Sequence, residues 1–346
     1  MAVAAMTARR AWALLPGVSG TSVRDNRTRS SGRRGSASAR PGHRIVVLKP
    51  VPPYDFDLSA TIFSNGDKQI RRYDNSQFWQ VVKLNSNLLL ATVRSRGTVD
   101  APELILTLKS TRKPDKDDEK EAGGLIHKLL NLGLDLNSFY GGVKHDAVLR
   151  RLTRRLKGLR FMTTASLFEA LVYAICEQQI SLIVARSIQD KMIKAFGDTL
   201  SIGGDTYYAF PTPQALSGAS IELLRACGMS QKKAEYVREI SHLVAHGELD
   251  LEKFNAYKDS ESIIEELTKI RGIGLWTAEY ALIRGMSRLE ALPADDLGIR
   301  RSISHYYFHD KKITAAEARQ TAGKWGPWRG LASFYLLSGM RLGIEI

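Results

Sequence analysis

Between residues 44 and 110 the apolar positions fall in short runs rich in β-branched and aromatic residues. These are Ile45-Val46-Val47-Leu48, Phe78-Trp79-Gln80-Val81-Val82, Asn87 to Val93, and Leu104 to Leu108. Asn65-Gly66-Asp67 and Asn85-Ser86-Asn87 set turn chemistry between them, and the combination predicts a small antiparallel sheet. From Thr111 to Gly124 the chain is charged, with the run Lys113 to Lys120, and shows no hydrophobic face until Leu125. It reads as a linker or the solvated entry to the next segment. From Leu125 onward the period is helical throughout. Ser166-Leu167-Phe168-Glu169 spells a capping box ahead of an apolar helix ending near Glu177, and a second helix runs from Ser181 to Phe196 and stops at Gly197. Further helical periods cover roughly 218–226, 231–246, 260–270, 276–284, 297–308, 314–324 and 328–340. The fold class expected is α+β, an N-terminal antiparallel sheet domain over 44–115 followed by a mostly helical domain over 116–346. Residues 1–43, rich in Ala, Arg, Ser and Gly, are expected to be a disordered basic tail or a targeting segment, since an Arg-rich, acid-poor leader also suits organellar import.

Composition narrows the class. A chain of 346 residues that is 44% hydrophobic and 25% charged can build a sizeable core, and about two domains is the natural expectation. No apolar stretch reaches the ~20 residues of a membrane-spanning helix. Cys176 and Cys227 are the only cysteines, which excludes a disulfide scaffold and any four-thiolate zinc or iron–sulfur site built by this chain alone, and points to a reducing, intracellular setting. The net charge is +14; residues 1–44 hold nine arginines and one acid and so carry +8 of it, leaving +6 on the body. That balance suits a polyanionic partner, nucleic acid before a membrane surface.

The most informative segment runs from Leu267 to Leu282, where Arg271-Gly272-Ile273-Gly274-Leu275-Trp276-Thr277-Ala278 joins two helical periods through a tight turn. The second helix of such a hairpin presents unpaired amides and the positive end of its dipole, and the missing glycine side chains let a phosphate approach the backbone. About twenty residues on stands Leu292-Pro293-Ala294-Asp295-Asp296-Leu297-Gly298-Ile299. Two acids before a helix are ordinarily an N-cap and a first-turn charge, but one cap does not need two carboxylates, and paired acids can take different roles.

These residues together resemble the helix-hairpin-helix DNA glycosylase superfamily, and within it the 3-methyladenine DNA glycosylase II branch. The resemblance rests on Gly272-Ile273-Gly274 with Trp276-Thr277-Ala278 and Tyr280, and on Pro293-x-Asp295-Asp296 with Ile299. It extends to Ile175-Cys176-Glu177-Gln178-Gln179-Ile180-Ser181, Pro211-Thr212-Pro213, Gly228-Met229 with Lys232-Lys233-Ala234-Glu235, Trp325-Gly326-Pro327-Trp328-Arg329, and Pro53-Tyr54-Asp55-Phe56. Residues 160–346 match densely and 50–160 loosely.

The resemblance implies a monofunctional hydrolase of base excision repair that flips an alkylated purine out of double-stranded DNA and cuts its N-glycosidic bond. It implies Asp296 as the catalytic carboxylate, Gly272, Gly274 and Thr277 as backbone-amide contacts to phosphate, and Gln179 as the wedge that fills the vacated stack. Asp295 is expected to cap the helix and support its neighbour. Trp276 and Tyr280, at i and i+4, are expected to stack on the damaged base; Trp325, Trp328 and Phe63 are expected to be packing. Bifunctional members carry a lysine two residues after the second hairpin glycine; here that position is Trp276. Leu337 stands where the bacterial branch has a pocket Trp, so the base range is expected to differ. No cofactor is required, although the hairpin carbonyls of this family often bind a monovalent cation. His242/His246 and His305/His309 sit at helical spacing, but without the adjacent Glu or thiolate of a zinc site they are expected to be ordinary histidines, and no metal is assigned. A monomer is expected, acting on DNA in the nucleus of a eukaryote or the nucleoid of a prokaryote, with mitochondrial import through residues 1–43 as a further route. Two alternatives stand beside this reading: an oxidised-base glycosylase/lyase, and a non-catalytic damage-binding module.

Overall fold

The computed structural model describes residues 42–85 and 87–346; the leader expected over residues 1–43 lies outside the described residues up to position 41. Gly42 and His43 already belong to the first strand. Five strands, β1 (Gly42–Leu48), β2 (Arg71–Asp74), β3 (Gln77–Lys83), β4 (Leu88–Ser95) and β5 (Leu104–Ser110), form an antiparallel sheet in the order β1-β5-β4-β3-β2. Alternation fixes its inner face: Leu104, Leu106 and Leu108 of β5 stand beside Leu89, Ala91 and Val93 of β4, with Val93 directly opposite Leu106. β2 escapes the pattern because Arg71-Arg72-Tyr73-Asp74 has no apolar run to announce it.

After β1 comes the short helix α1 (Phe56–Ala60), capped by Asp55. Of the two readings of the charged stretch, a linker or the solvated entry to the next segment, the structure has the second: from Lys116 it forms the polar start of helix α2 (Lys116–Leu129). Asp115 caps it, Asp118 closes a true capping box, and Ala122, Ile126 and Leu129 pack on the inner face of the sheet. Its first turn is polar because it carries the cap and faces solvent, so the apolar stripe starts late.

The helical part continues with α3 (Leu136–Gly142), α4 (Ala147–Arg155), α5 (Leu167–Glu177) and α6 (Leu182–Phe196). The expected capping box of α5 is only half formed. Ser166 accepts from the Glu169 amide, but the Glu169 carboxylate takes the amide of Ala165 and not that of Ser166. A β-hairpin then interrupts the helices, correcting the expectation of helix throughout: β6 (Thr199–Ile202) and β7 (Asp205–Tyr208) turn at Gly203-Gly204, both at positive φ. Leu200 and Ala209 bury Val81 and Leu90 on the outer face of the main sheet, so the hairpin fastens the two parts of the molecule together. Helices α7 (Pro213–Ser217), α8 (Ile221–Ala226), α9 (Gln231–Ala245), α10 (Ser260–Leu267) and α11 (Leu275–Met286) follow. The chain ends with α12 (Leu297–Tyr307), α13 (Ala315–Ala322) and α14 (Arg329–Arg341).

Two helical cores result. One gathers α5, α6 and α7 to α11 around Leu171, Ile175, Met192, Leu224 and Ala281; the other gathers α3, α4 and α12 to α14 around Phe139, Leu152, Ile303 and Leu336. Ile283 packs against both, and a deep cavity opens where they meet the sheet domain. No helix among the described residues is long and apolar enough to cross a membrane.

Candidate active site and nucleic-acid interface

The cavity has a volume of about 570 Å³, within the range of small-molecule pockets. Trp276 and Tyr280 supply one wall from α11, their ring centroids 5.4 Å apart and tilted by 31°. Phe161, Phe334 and Leu337 line it from the other helical core, and Phe63 from the sheet domain. Of the aromatics expected to be packing, Trp325 is buried in the core while Phe63 reaches the cavity wall.

Asp296 lies in that wall, and the structure assigns the two neighbouring carboxylates differently from the sequence reading. Asp296, not Asp295, is the N-cap of α12: its Oδ1 accepts from the amide of Ile299 at 3.0 Å. Its Oδ2 accepts no hydrogen bond among the described residues, and this oxygen remains for whatever enters the cavity. The close fit extends to Gly298, where a Cβ would stand 3.0 Å from Asp296 Oδ1. Asp295 points to the other side, 3.3 Å from Arg319. Arg319 in turn holds the buried Glu279 of α11 with both guanidinium nitrogens, at 2.5 and 3.0 Å, and donates to the Leu292 carbonyl at 3.0 Å. Asp295 therefore belongs to a clamp that fastens the segment before α12 to the hairpin helix.

Charged residues that the sequence reading passed over also face the cavity: Glu177 at the end of α5, Arg186, Arg284 and Arg341. Glu177 accepts from Gln189 at 3.1 Å. Burial raises its carboxyl above the ordinary range, against the opposing pull of Gln189, Arg284, Tyr280 and Arg186. Burial also pushes the Tyr280 hydroxyl up, aided by Glu177 and opposed by Arg284. Arg341 is lowered by desolvation, while the nearby Asp296 charge favours its ionised form. For Glu177 and Arg341 the weak signal was position: an acid in the last turn of a helix whose other acid, Glu169, stands at its start, and an arginine in the last turn of the chain's final helix.

The hairpin stands at the rim. Gly272 has φ +88, and a Cβ there would fall 2.3 Å from the Tyr236 ring, so only glycine fits. Gly274 is the N-cap of α11 and nothing lies within 4 Å of where its Cβ would be. The amides of Gly274, Leu275 and Trp276 donate to no group among the described residues, so they and the helix dipole are free to meet an anion. The Thr277 side chain is buried and engaged by Gln178, leaving only its first-turn amide for that purpose. Gln179 stands exposed on the turn between α5 and α6 at φ +57, with Ile180 and Leu182 exposed beside it at the cavity mouth. Of the histidine pairs, His242 and His246 stack at 4.0 Å, whereas His309 lies beyond the end of α12 and His305 instead meets Asp310 at 3.0 Å.

Comparison with known proteins shows what the chain is similar to. Residues 172–327 match the model of the HhH-GPD superfamily of base excision DNA repair proteins. A DNA-3-methyladenine glycosylase from Bacillus subtilis is 35% identical over 290 residues, 82% of this chain and 94% of that protein. The solved 3-methyladenine DNA-glycosylase from Archaeoglobus fulgidus superposes with a TM-score of 0.75 at 25% identity, covering 87% of this chain and all of that one. The 8-oxoguanine glycosylase/lyase of Clostridium acetobutylicum shares the fold, with a TM-score of 0.66 at 17% identity over 87% of this chain and 98% of that one.

Proposed function

Since the chain belongs to the HhH-GPD superfamily of base excision DNA repair proteins, we propose that it is a monofunctional DNA N-glycosylase that hydrolyses alkylated purines of the 3-methyladenine type from double-stranded DNA. One observation carries the reading. Asp296 is held through Oδ1 by its own helix and offers an unbonded Oδ2 to a cavity walled by Trp276 and Tyr280.

Breaking the glycosidic bond builds positive charge on the sugar. A carboxylate about 4 Å away at an effective dielectric near 20 lowers that charge's energy by about 4 kcal/mol, or roughly a thousandfold in rate. The Ile299 amide fixes the orientation of the carboxylate before substrate arrives, so little reorganisation is needed in the transition state. That gain suffices for a base already cationic through alkylation, which leaves without being protonated. The aromatic pair favours such a base by cation–π attraction of about 0.5–2 kcal/mol. Water then completes the hydrolysis, with Asp296 positioned to orient or deprotonate it.

The fold alone does not separate hydrolase from lyase, because a lyase shares it. Position 276 supports the hydrolase: an indole there cannot form an imine with the sugar. Free hairpin amides would take DNA phosphate, and Gln179 would occupy the space left by the flipped nucleotide. At the hairpin the carbonyls of Gly272 and Ile270 already accept from Gln178 and from the Ile273 amide, so a monovalent cation would use their second lone pairs, and no step here depends on one. We take the protein to act as a monomer. Incubation with 3-methyladenine-containing duplex should release free base and leave intact abasic strands. Absence of release from every alkylated or deaminated duplex would refute the reading.

A further inference from the structure

The turn carrying Gln179 is fastened at two points away from Asp296. Gln178, the residue before it, sends its carboxamide into the hairpin: Nε2 donates to the Gly272 carbonyl at 2.9 Å and to the Thr277 hydroxyl at 3.0 Å. Lys233, in the first turn of α9, donates to the carbonyls of Cys176 at 2.9 Å and of Gln178 at 2.7 Å. Both carbonyls belong to the C-terminal end of α5, where a cation also meets the negative end of the helix dipole. The backbone between these ties is unusual. Gln178 at φ −51, ψ 125 followed by Gln179 at φ +57 resembles the central pair of a type II turn, whose second position normally calls for glycine. A glutamine there is disfavoured unless its surroundings impose it. Lys233 imposes it by fixing the carbonyl of the peptide that leads into Gln179.

We propose that Gln178 and Lys233 are positioning residues that hold the wedge turn to the phosphate-binding hairpin, Gln178 directly and Lys233 through α9, whose Glu235 and Glu239 pair with Arg271 of the hairpin, so that gripping the backbone and unstacking the lesion occur as one rigid movement. The two functional loops lie about ninety residues apart in sequence and meet through the Gln178 carboxamide. A hairpin seated on phosphate thereby fixes where Gln179 enters the duplex. Without these ties the hairpin would still bind, but the wedge would sample conformations that do not support the extruded nucleotide.

This inference rests on the glycosylase reading, and the test separates the two. Single-turnover base release is measured for Gln178→Ala and Lys233→Met on two duplexes, one with the lesion paired and one with it in a one-nucleotide bulge, where little unstacking remains to be done. Each variant loses two hydrogen bonds, charge-assisted ones in the case of Lys233, worth at least roughly tenfold. Release from the paired lesion should fall by roughly that factor, and release from the bulge by less than threefold. In parallel, 2-aminopurine beside an uncleavable lesion with a 2′-fluoro sugar should show less unstacking at saturating protein. Lys233→Arg, which keeps a donor at this place, should recover most of the loss, and melting curves verify that each variant is folded. Equal losses on both duplexes, or no loss on either, would overturn the coupling. If the unaltered protein releases no base, the glycosylase reading fails, and the fluorescence series still decides the coupling.

Discussion

Replacing Arg319 with Met tests how the segment bearing the two acids is held. In the intact protein Arg319 grips the buried Glu279 with both nitrogens and reaches Asp295 at 3.3 Å. Removing one partner of a fully buried pair costs about 3–5 kcal/mol. The Arg319 side chain is 35% exposed, so solvent screens part of the interaction, and about 2 kcal/mol is the appropriate expectation. For a chain of this size that lowers the melting temperature by roughly 3 °C. The sign of the pH dependence follows from Glu279, whose carboxyl burial already raises above its ordinary value while Arg319 pulls it down. Without Arg319 the folded-state value rises further. A raised carboxylate destabilises the folded state above its unfolded value, and the penalty disappears below it, where both states hold the proton. The deficit should therefore be full at pH 8 and shrink as the pH falls toward and through the ordinary glutamate range. Base release should also slow by roughly tenfold, because Arg319 no longer holds the Leu292 carbonyl and Asp295 in the approach to Asp296. Thermal melts across pH 4.5–8 with parallel single-turnover assays decide the matter. A melting deficit independent of pH, or none at all, would refute this account of the clamp.

Three further outcomes are expected. Gly272→Ala should destabilise the protein by about 1–3 kcal/mol and weaken duplex binding, because φ +88 and the Tyr236 ring 2.3 Å away both exclude a side chain; an unchanged melt and titration would contradict the hairpin geometry. Burial acts to raise Asp146, but Lys324 at 2.9 Å, the Leu149 amide, Tyr307 and Trp325 outweigh it and hold the carboxyl below its ordinary value. Its contribution is then complete above the unfolded carboxylate value and lost as the pH falls through the lowered one, so Asp146→Asn should flatten the acid limb of the stability curve, as measured by denaturant unfolding from pH 7 to pH 2.5. Borohydride added during turnover should trap no protein–DNA adduct, since residue 276 is a tryptophan, whose indole has no amine to form an imine; a covalent band would reinstate the lyase alternative.

The sheet and most helices were legible because their apolar periods run to completion and their ends carry caps, as Ser181 and Thr314 do. The β6–β7 hairpin was hidden by its brevity: four-residue strands around Gly203-Gly204 have too few positions to show alternation, and they form because the outer face of the main sheet lies ready to be covered. The start of α2 was hidden by solvation of its first turn. At the site, spacing alone predicted that Trp276 and Tyr280 share a wall. It could not distribute the roles of Asp295 and Asp296, because either can cap by sequence position, and only the placement of Arg319 and Glu279 draws one of them away. Glu177, Arg186, Arg284 and Arg341 reach the cavity from four separate helices, a convergence that no local pattern encodes.

The central claim is that the Asp296 carboxylate steadies the charged sugar, and Asp296→Asn tests it directly. Asparagine caps a helix about as well as aspartate, so the Ile299 amide stays satisfied and the melt should be unchanged, while the charge is gone. The single-turnover rate of 3-methyladenine release should fall roughly a thousandfold with duplex affinity retained. A rate within tenfold of the unaltered protein would contradict the account.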